Sequence, residues 1–301
     1  MRQLPSGILP IDKPERITSA TVVNRIKKSP EVKKAGHTGT LDPFATGVIL
    51  CLVNQATRLS RFFLSGWKTY DAVMVLGTET DTQDGTGTVI KKYAVPKIDN
   101  RLIQETMARF QGEISQIPPA YSALKHNGKP LYAYARDGAP VHKSARRVEI
   151  DRIDIQRIDL PEIRFRVCCS SGTYIRTLCA DIGSELDYGG HLKDLRRIES
   201  SGFRIEETEP LKKLEQLAAE GRLSEKIVPM APALRGMAAY TADKALTERI
   251  KYGKMIYQHE VDGIPENDYI KVIDSDANLL AVLSRPKDGD RLDYCCVFHH
   301  G

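Results

Sequence analysis

The sequence lacks any long apolar run. Its longest, at residues 48–53, falls far short of the roughly 20 residues a membrane-spanning helix needs. No apolar segment follows the charge of Met1-Arg2-Gln3-Leu4-Pro5-Ser6, so no secretory leader is expected and the cytoplasm is the expected compartment. Zinc-binding spacing is missing too. Cys168-Cys169 and Cys295-Cys296 are adjacent pairs, Cys51 and Cys179 sit in apolar runs, and no Cys-x-x-Cys or interleaved histidine occurs, which predicts reduced core cysteines. The acidic stretch at residues 77–87 carries Glu79, Asp81 and Asp84 but no closing glutamate of a twelve-residue calcium loop. No metal and no cofactor is therefore expected. Low-complexity blocks and a repeat period are also absent, and with 41% hydrophobic residues the chain can bury a substantial core.

What is present is an uneven charge. The net +5 hides a tail, from Ala239 onward, with eight Lys/Arg against eleven Asp/Glu, so the preceding part carries the positive excess and should meet any polyanion. Within it, residues 119–147 hold Lys125, Lys129, Arg136, Lys143, Arg146 and Arg147 against Asp137 alone, interleaved with Tyr121, Tyr132 and Tyr134. Two readings stay open for this stretch. It is a solvated surface hairpin, or an insertion that grips RNA through phosphate neutralisation and base stacking.

The densest signal is Gly36-His37-Thr38-Gly39-Thr40-Leu41-Asp42-Pro43-Phe44-Ala45-Thr46-Gly47. Pro43 pushes Asp42 out of the helical region, and the glycines permit tight backbone geometry, so the loop holds one carboxylate still at the entry to a strand. An ordinary turn would read the same way locally. Elsewhere, Thr18 or Ser19 caps a helix bearing Val22, Val23 and Ile26, and Asn54 is expected to cap a helix over residues 55–64. Tyr70, Ala72, Met74 and Leu76 share one face of a strand, as do Ile163, Phe165, Val167 and Cys169. Ile175, Leu178, Cys179, Ile182 and Leu186 recur at helical spacing, which puts Arg176 in a first turn where the helix dipole opposes a cation and an anionic partner is wanted. Residues 189–197 read as a helix, 229–233 as a linker, and 239–301 as a small module with a helix and short strands.

The twelve-residue loop resembles the signature of the TruB family of pseudouridine synthases. So do Lys13-Pro14, Lys68-Thr69-Tyr70, Pro118-Pro119-Ala120-Tyr121-Ser122-Ala123-Leu124-Lys125, Gly172-Thr173-Tyr174-Ile175-Arg176 and Leu195-Arg196-Arg197, in family order over about residues 5–205. The resemblance implies Asp42 as catalytic nucleophile, Arg176 as its charge partner, and Tyr70 as the ring against the target base and a candidate base for the C5 proton. It further implies Tyr174 as a stacking platform, Leu195 covering the uracil edge, His37 occupying the space the flipped base vacates, Asp84 orienting site groups and Lys13 bordering the site. It implies an α+β fold, a mixed, mainly antiparallel sheet with flanking helices. Residues 1–238 would be the catalytic domain, with a thumb inserted at about 118–147, and 239–301 a small PUA-like module. That module is net −3, whereas PUA-type modules usually present a basic face to RNA.

The expected activity is conversion of uridine to pseudouridine at position 55 in the T loop of tRNA, by a monomer, after base flipping. A carboxylate nucleophile divides this isomerisation into easier steps, with attack at C6 or at C1′ both open. Other readings are a guide-RNA-dependent synthase subunit, a tRNA-folding chaperone that needs no catalysis, and an aspartate-dependent hydrolase. The hydrolase would press Asp84 into service as a second carboxylate and leave the tyrosine and arginine motifs unexplained.

Overall fold

The computed structural model describes residues 5–95, 98–264, 269–286 and 289–299. The first four residues of the N-terminal segment, and tail positions 265–268, 287–288 and 300–301 that enter the charge balance, lie outside these.

The chain begins with β1 (Gly7–Lys13), α1 (Ser19–Ile26), β2 (Ala35–Thr38), β3 (Thr46–Val53), α2 (Ser60–Leu64) and β4 (Lys68–Leu76). The hairpin β5 (Thr78–Thr80) and β6 (Val89–Lys92), helix α3 (Asn100–Ala108) and strand β7 (Gly112–Gln116) follow. Residues 125–136 carry β8 (Lys125–His126), β9 (Lys129–Pro130) and α4 (Leu131–Arg136). Then come β10 (Arg146–Asp159), β11 (Glu162–Cys169), α5 (Ile175–Glu185), β12 (Gly190–Ser200), β13 (Phe203–Arg204), β14 (Glu209–Pro210), α6 (Leu211–Ala219), β15 (Val228–Pro229) and α7 (Met230–Ala233). The tail comprises β16 (Ala238–Thr241), α8 (Lys244–Lys251), β17 (Tyr269–Ile273), β18 (Leu279–Ser284) and β19 (Asp293–Val297).

One eleven-stranded sheet runs in the order β14-β1-β3-β12-β4-β11-β10-β7, with β2, β13 and β15 pairing at its flanks. Within that order β1/β14 and β3/β12 are parallel and the other neighbours antiparallel, so the sheet is mixed and mainly antiparallel, as expected. β3 crosses its middle, and residues 48–53 are essentially inaccessible because both faces are covered. Ile49, Cys51 and Val53 pack under α1 and α6, while Val48, Leu50 and Leu52 meet Phe63, Phe203 and the small four-stranded tail sheet β16-β17-β18-β19 through Leu279, Val282, Cys296 and Phe298. A third cluster joins Tyr70, Ala72, Met74 and Leu76 of β4 to Phe165 and Val167 of β11 and to the apolar stripes of α3 and α5.

Three local expectations are corrected. Asn54 caps no helix: it sits at φ +54° in the left-handed region, and its side-chain oxygen accepts from Lys33 N and Lys34 N, so its amide ties a crossing loop down and residues 54–59 form a 3-10 turn before α2. Residues 190–200 are strand, not helix. A bulge between Leu192 and Asp194 shifts the register, leaving Leu192 and Leu195 both inward at a spacing of three that imitates a helix. Residues 229–233 are no linker, since Met230, Ala231 and Ala233 are buried in the core shared with the tail sheet.

Candidate active site

The Asp42 loop is fastened on both sides by the N-terminal segment. Ser19, first residue of α1, accepts from Leu41 N at 2.9 Å and donates to Leu41 O at 3.1 Å, and Thr18 caps α1 by accepting from Thr21 N. Just past the aspartate, Pro43 O accepts from Arg16 N at 2.8 Å and from Lys13 Nζ at 3.2 Å. Lys13 is fully buried and also donates to Pro14 O and Ile17 O; it lines no wall of the cleft, and burial draws its pKa down to about 8. At the far end of the loop Gly47 adopts φ +101°, and a Cβ there would lie 2.1 Å from Arg197 O on β12. Only glycine lets β3 run this close to β12, and that contact sets where the loop begins and ends.

Arg176 answers the question its position raised. It lies at the N-terminus of α5, 3% exposed, with Nε 2.9 Å from Asp42 Oδ2 and Nη1 3.6 Å from Asp84 Oδ2. Two carboxylates thus offset the dipole that disfavours a cation there. The guanidinium is oriented further by donating to Thr82 O and to Tyr121 O, both at 2.8 Å. Asp84 is itself held, accepting at Oδ1 from Thr82 Oγ1, Thr86 N and Thr86 Oγ1. Burial pushes the Asp42 carboxyl above its usual range, and Arg176 pulls the other way.

Around this pair the cleft has two lobes that share Thr40, Leu41, Asp42, Ser122, Ala123 and Arg176. One, of about 380 Å³, is walled by Tyr70, Tyr174, Leu195, Arg197, Lys68 and Arg146. The other, of about 480 Å³, is walled by His37, Asp84, Tyr121, Tyr132 and Arg136. The residues singled out in the sequence therefore converge on Asp42, but from two sides: Tyr70, Tyr174 and Leu195 on one, His37 and Asp84 on the other. Tyr70 is buried, which raises its phenol pKa, and Arg197 opposes that shift. Burial and the Arg197 charge both lower the pKa of His37.

Two residues escaped the sequence reading. Gln116, fully buried at the end of β7, holds the Tyr174 backbone through Tyr174 N to Oε1 (3.0 Å) and Nε2 to Tyr174 O (3.2 Å). Nothing in the sequence marks it. Arg197, 1% exposed, donates to Val48 O at 2.6 Å and Gly39 O at 3.0 Å. Its signal was its place in Leu195-Arg196-Arg197, which gave it no role of its own.

The architecture has solved counterparts. A crystal structure of a Cbf5-Nop10-Gar1 complex superposes with TM-score 0.76 at 27% identity, covering 99% of this chain and 86% of that one. A structure of an H/ACA RNP bound to a substrate RNA containing 2′-deoxyuridine gives 0.74 at 25%, over 98% and 85%. Residues 27–175 match the N-terminal domain of the TruB family pseudouridylate synthases, and fold and site together define a synthase of that class. Residues 176–235 match the tRNA pseudouridylate synthase B C-terminal domain. The division falls between Ile175 and Arg176, inside α5, so it separates the Asp42–Arg176 pair in sequence but marks no break in the fold. The tRNA pseudouridine synthase B of Geobacter sulfurreducens is 38% identical over 89% of this chain and 90% of its own length; that of Clostridium acetobutylicum is 38% identical over 95% and 98%. The chain belongs to the TruB family of tRNA pseudouridine synthases.

Proposed function

We propose that the protein isomerises uridine 55 in the T loop of tRNA to pseudouridine, with Asp42 as nucleophile. The observation that carries this reading is the Asp42–Arg176 pair, 2.9 Å apart at the floor of a cleft walled by tyrosines and a leucine. A buried carboxylate must be ionised to attack, and the fixed guanidinium favours that form. Asp84 orients Arg176. Tyr70 and Tyr174 replace the stacking that the flipped uridine loses, at a flipping cost of a few kcal/mol. Leu195 excludes water, and Tyr70 takes the C5 proton. His37, in the opposite lobe, fills the gap left in the T loop, and Lys13 serves by fixing Pro43 beside the nucleophile. Residues 1–238 act as the catalytic unit, with the thumb at about 118–147 closing on the T arm through its lysines and arginines, and 239–301 form the PUA-like module. The enzyme works as a monomer in the cytoplasm.

The test is conversion of one uridine in an unmodified T-arm hairpin, detected by carbodiimide labelling of the mass-neutral product. Labelling at uridine 55 is expected. A second reading, dependence on a guide RNA, draws on the likeness to the Cbf5-Nop10-Gar1 complex. Its discriminator is the same hairpin: activity only after a guide RNA is added would replace the first reading with the second.

A further inference from the structure

Adjacent arginines on β12 have opposite surroundings. Strand alternation turns Arg196 to the far face, where it meets Asp12 through two contacts, Nη1 to Oδ1 at 3.1 Å and Nη2 to Oδ2 at 2.8 Å. Arg197 turns inward with Leu195 and lines the cleft lobe. Among the described residues no carboxylate forms an ion pair with it. Its fixed partners, Val48 O and Gly39 O, satisfy hydrogen bonds without neutralising the charge. An uncompensated buried cation is costly, and a strap between two carbonyls does not require one.

The cross-strand register supplies a reason for the charge. Arg197 stands directly opposite Tyr70 in the β12–β4 ladder, both side chains line the same cleft lobe, and the Arg197 charge opposes the upward shift that burial gives the phenol. The other titratable groups around Tyr70 are Asp42 from the loop, Cys169 from β11 and Lys68 on its own strand, while Arg176 of α5 and Arg146 of β10 line the same lobe. Arg176 is committed to Asp42, Lys68 donates to Leu64 O and Gly66 O, and Arg146 donates to Gly172 O. Arg197 is left as the cation that faces the phenol across the ladder. A phenolate formed during turnover would give the buried guanidinium its missing counter-charge.

We propose that Arg197 is a positioning residue for the reaction, holding the Tyr70 ring in the cleft and stabilising the phenolate that accepts the uracil C5 proton. The inference rests on the reading of Tyr70 as that base. In the step concerned, the C5–H bond breaks and its electron pair forms the C5–C6 double bond, while the C6–N1 π pair moves onto N1 or, for an adduct at C6, the C6–O bond to Asp42 breaks and frees the carboxylate; the proton passes to the Tyr70 oxygen. N1 ends protonated, and Tyr70 returns its proton to solvent, so no co-reactant is consumed. Because Arg197 also grips Gly39 O and Val48 O at the two ends of the nucleophile loop, the same guanidinium fixes the separation between Asp42 and Tyr70.

The experiment is single-turnover release of tritium from C5-labelled tRNA at saturating enzyme, as a function of pH, for the wild type, Arg197→Lys, Arg197→Met and Tyr70→Phe. Arg197→Met is expected to move the midpoint of the rate profile alkaline by about one pH unit or more, which is about tenfold at neutral pH. Arg197→Lys should lie between it and the wild type, and Tyr70→Phe should lose tritium release at every pH. A loss that is equal at all pH values in both Arg197 variants, or no loss, overturns the proposal. If Arg197→Met fails to fold, Arg197→Lys decides alone: an alkaline shift supports the role and an unmoved midpoint refutes it. Fluorotyrosine at position 70, titrated by ¹⁹F NMR in RNA-free protein, reads the phenol itself and must show the same displacement. An inactive wild type would overturn the proposed function as well; an active wild type with unshifted variants overturns only the role of Arg197.

Discussion

Gly47→Ala is the substitution for which the structure gives the firmest magnitude. Its Cβ would lie 2.1 Å from Arg197 O, 2.8 Å from Arg197 N and 2.9 Å from Arg197 C, all backbone atoms of the neighbouring central strand, so no side-chain rotation relieves the clash. The backbone also sits at φ +101°, where a residue with a Cβ is strained by about 1–3 kcal/mol. Separating the strands enough to admit a methyl group adds about 1–3 kcal/mol. Together these cost roughly 2–6 kcal/mol, a large share of the ~5–15 kcal/mol that keeps a protein folded. Urea unfolding of the wild type and Gly47→Ala measures the loss directly. The strain should reach the site too, because opening β3 from β12 pulls on the Val48 O and Gly39 O bonds of Arg197. Tritium release should therefore fall by more than the unfolded fraction explains. A loss under about 1 kcal/mol, with turnover intact, would refute the idea that this close approach sets the loop.

Other consequences follow from single contacts. Thr18→Ala removes the cap of α1 and should cost about 1 kcal/mol in thermal or urea unfolding, with little change in tRNA affinity. Asp84→Asn keeps the shape but removes a charge 3.6 Å from Arg176, so single-turnover rate should drop while filter-binding affinity for tRNA holds; equal loss of both would contradict an orienting role. Buried Lys68 has its pKa lowered from 10.5 to about 8, so between these values the unfolded chain holds a proton that the folded chain has lost, and stability gains with rising pH. The unfolding free energy of the wild type relative to Lys68→Met should accordingly rise across that window, by up to about 3 kcal/mol, and a flat difference would contradict the burial cost.

Much of the frame was legible in the sequence because burial imposes a period. The alternation of Tyr70, Ala72, Met74 and Leu76 and the helical spacing of Ile175, Leu178, Cys179 and Ile182 are the two sides of one interface, and both were readable. Residues 190–200 were not, because a bulge converts a strand's period of two into a local spacing of three. Asn54 misled for a related reason: residues favoured at helix caps also tolerate the left-handed region, and here tertiary bonds to Lys33 and Lys34 chose the second use. For the site, Asp42 and Arg176 stand 134 positions apart, and no periodicity connects them. Family motifs named them as partners, and the dipole argument said only that Arg176 wanted an anion. Arg197 and Gln116 stayed hidden because their roles reside in which backbone carbonyls and amides the fold brings within reach of them.

Catalysis turns on one carboxylate. Release of tritium from C5-labelled uridine 55, followed with the wild type and with Asp42→Asn in parallel with tRNA binding and thermal unfolding, tests it most directly. Asp42→Asn should fold, bind tRNA and release no tritium above background, since the amide cannot form the covalent adduct. Release by Asp42→Asn at near the wild-type rate would contradict it.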